Sequence, residues 1–390
     1  MYEKRINAKK WITIYSFVCL ISFIFFLPFY LVLNNAYENS SYSTIVNDQK
    51  TKNAIYGTSL NQNTFSYKLE LIKQTKPNIV AMGSSRVMQF REIFFDKTFV
   101  TAGGGMNNLE EGVMFLEKML KGHTPEKVIL GLDFWWFSKE KENNIDFNYH
   151  KNEGVTLTKR KIFYPISLIK DKIFTYEQFF RITFGNTIND ITHYENFGYQ
   201  AIKSSNGFRK DGSYLYGKQL FLSKTKDISF KDTLERINKG TNGFEHNQIF
   251  SNKAVLELEQ IIKLLKKNKI EYIIILPPLP QIIIEEINKN MDKYQYTLFL
   301  KEYLSKKKKF INYEDFFYDE CEFIDGFHGG DVIYARIVQN LEKEGFLLLS
   351  EDKKMELHKY IEDNKSHATI KSTFYKMKEQ DFLKLNCKKN

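Results

Sequence analysis

The chain has little cysteine, and its sequence lacks the motifs that are typical of metal or nucleotide binding. Its three cysteines, Cys19, Cys321 and Cys387, do not have the spacing of a metal site. No Gly-x-x-x-x-Gly-Lys-Ser/Thr or Gly-x-Gly-x-x-Gly motif occurs, which argues against nucleotide binding. We therefore expect no cofactor and no metal. Cys321 and Cys387 could form a disulfide if this part of the chain lies outside the cytoplasm.

An arginine-rich block is also missing. Lysine and arginine number 57 against 47 acidic residues, a net charge of +10, but the lysines are spread along the chain. Much of the surplus lies in residues 306–309 and in the last forty residues. This pattern predicts a solvated basic surface rather than a nucleic-acid site, and attraction to an anionic envelope polymer is the alternative.

Only one long apolar run is present, at residues 11–33, where no residue is charged. As a helix it would rise roughly 35 Å, enough to cross a bilayer. Lys4, Arg5, Lys9 and Lys10 precede it, so the positive-inside rule predicts a cytoplasmic N-terminus and an extracytoplasmic remainder, periplasmic or on the outer surface. A cleaved signal peptide is the alternative, but it usually has a shorter apolar stretch followed by small residues.

The rest of the chain alternates short apolar runs with amphipathic stretches. Strands are predicted at 79–82, 99–102, 127–132, 271–276 and 310–313, and helices at 109–121, 254–267 and 332–341. This alternation predicts an α/β fold with a parallel sheet covered on both faces. The predicted divisions are an anchor at 1–34, a linker at 35–68, a split α/β domain at 69–137 and 251–349, an insertion that caps the rim at 138–250, and a charged tail at 350–390.

Residues able to carry chemistry follow these strands, where the ligands of such sheets bind. Ser85 ends a Gly-Ser-Ser turn after the first strand, and Asp325-x-x-His328 comes late in the chain. A serine needs a base to become nucleophilic, and a carboxylate can orient that base. The bland alternatives are a serine that caps the next helix and a solvated histidine in a surface turn.

With Gly83-Ser84-Ser85, residues 103–105, Gly131-Leu132-Asp133 and Asp325-x-x-His328, the chain resembles the SGNH (GDSL-type) hydrolase superfamily. The resemblance covers residues 76–345 apart from the insertion, and is greatest to membrane-anchored envelope members that act in D-alanyl-lipoteichoic acid biosynthesis and alginate O-acetylation. It implies a three-layer, flavodoxin-like parallel sheet. It also implies that Ser85 is the nucleophile, His328 the base and Asp325 its orienting acid.

The same resemblance suggests the groups that would bind the oxyanion and the substrate. The turn at residues 103–105 matches the family's second block, and the amides of Ser85, Gly103 and Gly104 would supply the oxyanion site. Asp133 stands where the family usually has asparagine, and an ionised carboxylate there would repel an oxyanion. Either Asp133 is protonated, or it has another role, or Asn107 or Asn108 supplies the missing donor. Arg86 either binds a substrate carboxylate or phosphate or forms a structural ion pair.

These observations predict a membrane-anchored serine esterase or O-acyltransferase that acts on an envelope glycan or its precursor through an acyl-enzyme. The envelope relatives suggest a multispanning membrane acyltransferase as partner. The alternative is a non-catalytic protein that binds glycan or serves as a scaffold in envelope assembly. Nucleic acid is not an expected partner.

Overall fold

A computed structural model describes residues 2–60, 63–139, 158–185, 192–218, 220, 225–373 and 377–389. The predicted insertion at 138–250 therefore lies partly outside the described residues. The described strands are β1 (Ala54–Tyr56), β2 (Ile79–Gly83), β3 (Phe99–Gly103), β4 (Lys127–Gly131), β5 (Glu195–Phe197), β6 (Gly207–Phe208), β7 (Tyr214–Leu215), β8 (Glu271–Leu276) and β9 (Phe310–Asn312).

The described helices alternate with these strands. They are α1 (Tyr2–Asn35), α2 (Tyr42–Lys52), α3 (Thr64–Thr75), α4 (Leu109–Gly122), α5 (Lys159–Lys170), α6 (Tyr176–Thr183), α7 (Tyr199–Ser204), α8 (Lys231–Lys239), α9 (Asn252–Lys267), α10 (Gln281–Lys289), α11 (Gln295–Ser305), α12 (Asp331–Lys343) and α13 (Glu351–Asp363).

The main sheet is parallel, as predicted, and has the strand order β3-β2-β4-β8-β9. Every residue of β2 and β3 is buried, which explains why these strands are continuous apolar runs. Helix α4 packs against both α3 and α9, and α3 also packs on β3. The predicted α/β fold with a parallel sheet is therefore confirmed.

The strand order places a topological switch between β2 and β4. The chain moves from β2 outward to β3, then returns across β2 to β4 and continues in the other direction. In sheets of this kind the loops leave a crevice beyond the carboxyl ends of the two central strands. Ser85 follows β2 and Asp133 follows β4, so both lie at this switch point.

Residues 35–68 do not form the predicted linker. They contain α2 and β1, and Ile45, Val46 and Ile55 are fully buried in the core. Strand β1 joins a second sheet of order β5-β1-β6-β7, whose other strands come from the predicted insertion. The polar composition of the segment hid α2 and β1 from the sequence analysis. Its apolar residues are few, but they face inward and are enough to hold both elements in the core.

The described parts of the insertion serve different regions of the molecule. Helices α5 and α6 pack against α1, which is far in sequence from the strand ends of the main sheet. Strands β5, β6 and β7 build the second sheet, while residues 214–216 and 227–250 approach the carboxyl edge of the main sheet. Only this last group fits the prediction of a cap at the rim.

The charged tail is also part of the folded body. Helix α13 buries Leu357 and Ile361, and Phe382 and Leu383 lie in the core. Cys321 and Cys387 form a disulfide that ties the end of the tail to the segment just before Asp325. Loose ends are usual at termini, but this tail is held both by apolar burial and by a covalent link.

The apolar run predicted at 11–33 lies within the long helix α1. Its portion from Ala8 to Asn35 is long and apolar enough to span a membrane. Residues 8–26 are exposed, whereas Val32, Leu33 and Ala36 are fully buried against the domain. The apolar surface of residues 8–26 is therefore without cover from the described part of the chain.

Candidate active site

Ser85 is presented by an abrupt change from strand to 3₁₀ helix. Strand β2 ends at Gly83, and a short helical turn begins at Ser85. A Cβ atom at Gly83 would lie 2.9 Å from the Gly131 carbonyl oxygen, so only glycine permits this approach of β2 and β4. The Ser84 hydroxyl accepts a hydrogen bond from the Arg86 amide at 3.1 Å and caps the turn. The cap is therefore Ser84, which leaves the hydroxyl of Ser85 available.

His328 lies beside Ser85 although 243 residues separate them in sequence. The distance from His328 Nε2 to Ser85 Oγ is 2.8 Å. On the other side of the ring, Nδ1 lies 2.8 Å from Asp325 Oδ2 and 3.0 Å from Oδ1. The structure thus joins the three predicted catalytic residues in one hydrogen-bonded chain.

The order of donors in this chain follows from the carboxylate. An ionised carboxylate can only accept, so Nδ1 of His328 carries the proton and Nε2 is left to accept the proton of Ser85. Burial raises the pKa of Asp325, but His328 and the amides of Phe327 and His328 outweigh burial and hold the pKa below its usual value. Asp325 is therefore ionised at neutral pH, as an orienting acid must be.

Two of the three predicted oxyanion donors, the amides of Gly103 and Gly104, have acceptors inside the fold. The Gly103 amide donates to Thr101 Oγ1 at 3.1 Å, and the Gly104 amide donates to the Gly83 carbonyl at 3.1 Å. Both donors are thus used inside the fold and do not point into an open site. Among the described residues no acceptor is hydrogen-bonded to the Ser85 amide, which makes this N–H the available donor beside the nucleophile.

Asn107 is hydrogen-bonded to the first turn of α4. It is exposed, and both its amide and its Nδ2 donate to Glu111 Oε2, at 2.7 and 3.0 Å. Asn108 caps α4 by accepting from the Glu111 amide at 2.8 Å. In this structure both asparagines therefore hydrogen-bond to Glu111.

Arg86, the neighbour of Ser85 in the chain, forms a buried ion pair with Asp133. Each side chain is 1% exposed, and Arg86 Nη1 lies 3.3 Å from Asp133 Oδ1. Arg86 Nη2 also donates to the carbonyls of Pro277 and Pro278, after β8. One guanidinium thus joins the ends of β2, β4 and β8, which favours the structural alternative for Arg86 over a contact with substrate.

Burial destabilises the ionised form of the Asp133 carboxyl. Burial raises its pKa, although Arg86, the Ser84 hydroxyl and His328 act in the opposite direction. Its Oδ1 faces Arg86. The contact with Arg86 gives Asp133 the different role that the sequence left open, that of a partner for a buried cation.

Tyr216 from the insertion and the neighbouring Phe327 complete the surroundings of His328. The ring of Tyr216 lies 6.2 Å from that of His328, and the ring of Phe327 lies 4.3 Å from it. Burial, with Asp325 and two neighbouring tyrosines, raises the pKa of Tyr216 well above its usual value, so its phenol keeps its proton. Sequence alone missed Tyr216 because no spacing connects it with His328.

Asp227 holds the loop that carries Asp325 and His328. Its Oδ2 accepts from the Gly326 amide at 2.7 Å and from Thr233 Oγ1 at 2.7 Å, while Oδ1 accepts from the Thr233 amide at 3.0 Å. Gly326 lies between Asp325 and His328, and a Cβ atom there would lie 2.5 Å from Thr233. Asp227 is thus a positioning residue that the sequence gave no reason to select.

If the predicted esterase activity holds, replacing Asp227 by alanine is expected to lower kcat for hydrolysis of p-nitrophenyl acetate roughly 100-fold, because displacement of a catalytic group by about 1 Å has that effect. The Gly326 amide would lose its acceptor at a cost of about 1–3 kcal/mol. Asp232→Ala is the matched control, since its half-exposed ion pair with Arg236 lies on the neighbouring helix α8. Equal kcat in the two variants would contradict this role.

The paired tryptophans have different environments. Trp136 is 4% exposed and lies in the core. Trp135 is half-buried, and its ring lies over the Arg86 guanidinium at 5.4 Å and against Phe244 at 5.9 Å. Trp135 thus covers the buried ion pair on the side of the insertion.

Comparison with protein-family models and with curated proteins adds no relative from which a function could be taken. No protein-family model and no curated protein matches this chain. The function can therefore be inferred only from the residues of the site itself.

Proposed function

We propose that this protein is a membrane-anchored, extracytoplasmic serine esterase or O-acyltransferase that acts on an envelope glycan or its lipid-linked precursor. The observation that carries the proposal is the chain from Ser85 Oγ to His328 Nε2, at 2.8 Å, and from His328 Nδ1 to Asp325, at 2.8 Å. Its position at the switch point of a parallel sheet supports a binding crevice there. The strand order is that of flavodoxin-like sheets, in agreement with the fold expected from the SGNH resemblance.

The reaction follows from the order of donors. His328 Nε2 takes the proton of Ser85 as Oγ forms a bond to the ester carbonyl carbon, and the Ser85 amide donates to the resulting oxyanion. The bond to the alcohol breaks, and the alcohol leaves with the proton from Nε2. The acyl group then remains on Oγ until water or a sugar hydroxyl attacks it with His328 again as the base. The bond between the acyl carbon and Oγ breaks, and Ser85 regains its proton from Nε2.

The cellular location is part of the same proposal. Helix α1 would cross the membrane with Lys9 and Lys10 on the cytoplasmic side, because positive charge is retained there. The disulfide between Cys321 and Cys387 supports an oxidising compartment for the folded domain. A location outside the cytoplasm would bring the site to envelope glycans, and a multispanning acyltransferase could supply the acyl group across the membrane.

A serine-directed fluorophosphonate probe tests the nucleophile in the full chain in detergent. The wild-type protein is expected to be labelled at Ser85, and Ser85→Ala is expected to abolish labelling. Ser305→Ala is the control, because Ser305 is exposed and its hydroxyl donates only to its own helix. Labelling that persists in Ser85→Ala would end the assignment. An unlabelled wild-type protein would favour the non-catalytic binding alternative.

A further inference from the structure

The helices α5 and α6, here called the collar helices, surround the part of α1 that meets the folded domain. Phe163 of α5 packs on Phe26 and Phe29 of α1, with ring centroids 5.8 and 6.4 Å apart. Phe179 of α6 packs on Phe29 at 5.5 Å, and Asn35 donates to carbonyls of residues 182 and 183. The collar helices are therefore fixed to the end of the candidate membrane helix.

The outward face of the collar helices is unusually apolar. Five large apolar side chains remain exposed within the short segment 163–184. In the rest of the domain, exposed side chains of this kind are scattered over a much longer stretch of sequence. The five are Phe163 at 38%, Ile166 at 42%, Tyr176 at 71%, Phe180 at 58% and Phe184 at 78%. Aromatic side chains on an amphipathic surface are typical of the boundary between a bilayer and water.

The same helices carry a surplus of positive charge. Exposed cations lie beside the apolar face, at Lys159, Arg160, Lys170, Lys172 and Arg181. Acidic residues of this region are Asp171 and Glu177, and Glu177 is 3.9 Å from Arg181. Apolar and cationic side chains together are complementary to a surface of anionic lipids.

The length of α1 places the collar helices at the correct height. If Trp11 lies at the inner boundary of the bilayer, Phe26 is about 23 Å away and Tyr30 about 29 Å away, at ~1.5 Å per residue. The hydrocarbon core is about 30 Å thick. Phe26 and Phe29, which Phe163 contacts, therefore lie near the outer boundary. A tilt of α1 would draw the collar helices deeper and would not lift them away.

Several hydrogen bonds connect the end of α1 to the domain. Glu38, which is fully buried, accepts from the amides of Ser59, Leu60 and Tyr199 and from the Thr58 hydroxyl. The Gly198 amide donates to the Ala36 carbonyl at 2.7 Å. The domain is thus held at a fixed orientation to α1, so contact of the collar helices with the membrane would fix the height of Ser85 above it.

We propose that the collar helices α5 and α6 insert their exposed aromatic face into the outer leaflet of the lipid bilayer and seat the catalytic domain on the membrane surface. This inference rests on the membrane location in the proposed function, but not on the catalytic assignment. It predicts that the substrate is presented close to the membrane, as a lipid-linked or membrane-bound glycan would be. The occupant of this face is lipid, recognised by its acyl chains and anionic headgroups.

Environment-sensitive fluorescence tests the inference in the full chain reconstituted into nanodiscs of phosphatidylcholine and phosphatidylglycerol. Single cysteines that carry an NBD fluorophore would be placed at Phe184 and Tyr176, in a Cys19→Ser background. Phe17→Cys, on the exposed part of α1, reports insertion of the anchor, and Leu348→Cys, where the side chain is 84% exposed, is the aqueous control. Lipids with a nitroxide at carbon 5 of the acyl chain serve as quenchers.

We expect the fluorophores at Phe184 and Tyr176 to be blue-shifted and quenched several-fold more than the one at Leu348. Emission like that of Leu348, with Phe17 quenched, would overturn the collar proposal and indicate that the face awaits a protein partner instead. If Phe17 is not quenched either, the membrane premise and the collar proposal both fall. Fluorophosphonate labelling of Ser85 on the same samples reports separately on the catalytic assignment.

Discussion

His328→Ala and Ser85→Ala are each expected to lower kcat for p-nitrophenyl acetate hydrolysis by a factor on the order of 10⁴–10⁶. The effects should be equal in size because each variant breaks the same proton transfer between Nε2 and Oγ, which are 2.8 Å apart. The double variant is expected to lose no more than either single one. The residual rate then reports binding and the remaining oxyanion donor.

Asp325→Asn extends this prediction to the orienting acid. The amide can donate to Nδ1, which would place the proton of His328 on Nε2 and leave Ser85 without a base. A loss of about 10⁴ in kcat is expected, with a normal thermal unfolding midpoint as the control for folding. Two results would show that the three residues do not act as one unit. One is a double variant of Ser85 and His328 in which the losses of the single variants multiply. The other is a fully active Asp325→Asn.

Breaking the buried ion pair is expected to have the largest effect on stability. Arg86 and Asp133 are each 1% exposed, so Asp133→Asn leaves a buried cation without its counter-charge at a cost of about 3–5 kcal/mol. Arg86→Met is expected to cost a similar amount at neutral pH. Replacing both together, with Arg86→Met and Asp133→Leu, should cost less than either single change, because no unpaired charge then remains buried.

The pH dependence distinguishes this explanation from simple loss of packing. The charge of Arg86 lowers the pKa of Asp133, so Arg86→Met raises that pKa further above the value in the unfolded chain. Between the two pKa values the folded state binds more protons, and stability falls as pH rises. Arg86→Met should therefore lose less stability, relative to wild type, at pH 5 than at pH 8.

A surface pair supplies the control for these measurements. Lys97 and Glu126 form an ion pair in which the side chains are 50% and 49% exposed. Exposed pairs contribute about 0–1 kcal/mol, so Lys97→Met should change the unfolding midpoint little at either pH. If Arg86→Met behaved in the same way, the ion pair would not be what holds the strand ends together.

The strands could be predicted from the sequence because burial on both faces demands continuous apolar runs, and each of these runs is short and bounded by polar residues. The same rule failed at residues 42–56, where few apolar residues are enough to bury one face of α2 and the whole of the short strand β1. Among the candidate oxyanion donors, residue type was a poor guide. The directions of the Gly103 and Gly104 amides depend on the turn, and the turn gives both amides acceptors within the fold.

The sequence by itself determined the apolar helix, the parallel sheet and the residue types at the strand ends, because periodicity and local spacing specify such features. Tertiary structure alone decided that Tyr216 borders His328, that Asp227 holds Gly326 and that Arg86 pairs with Asp133. Those contacts join residues distant in the chain, through side chains with no mutual spacing, and only the closing of the sheet and the return of the insertion bring them together.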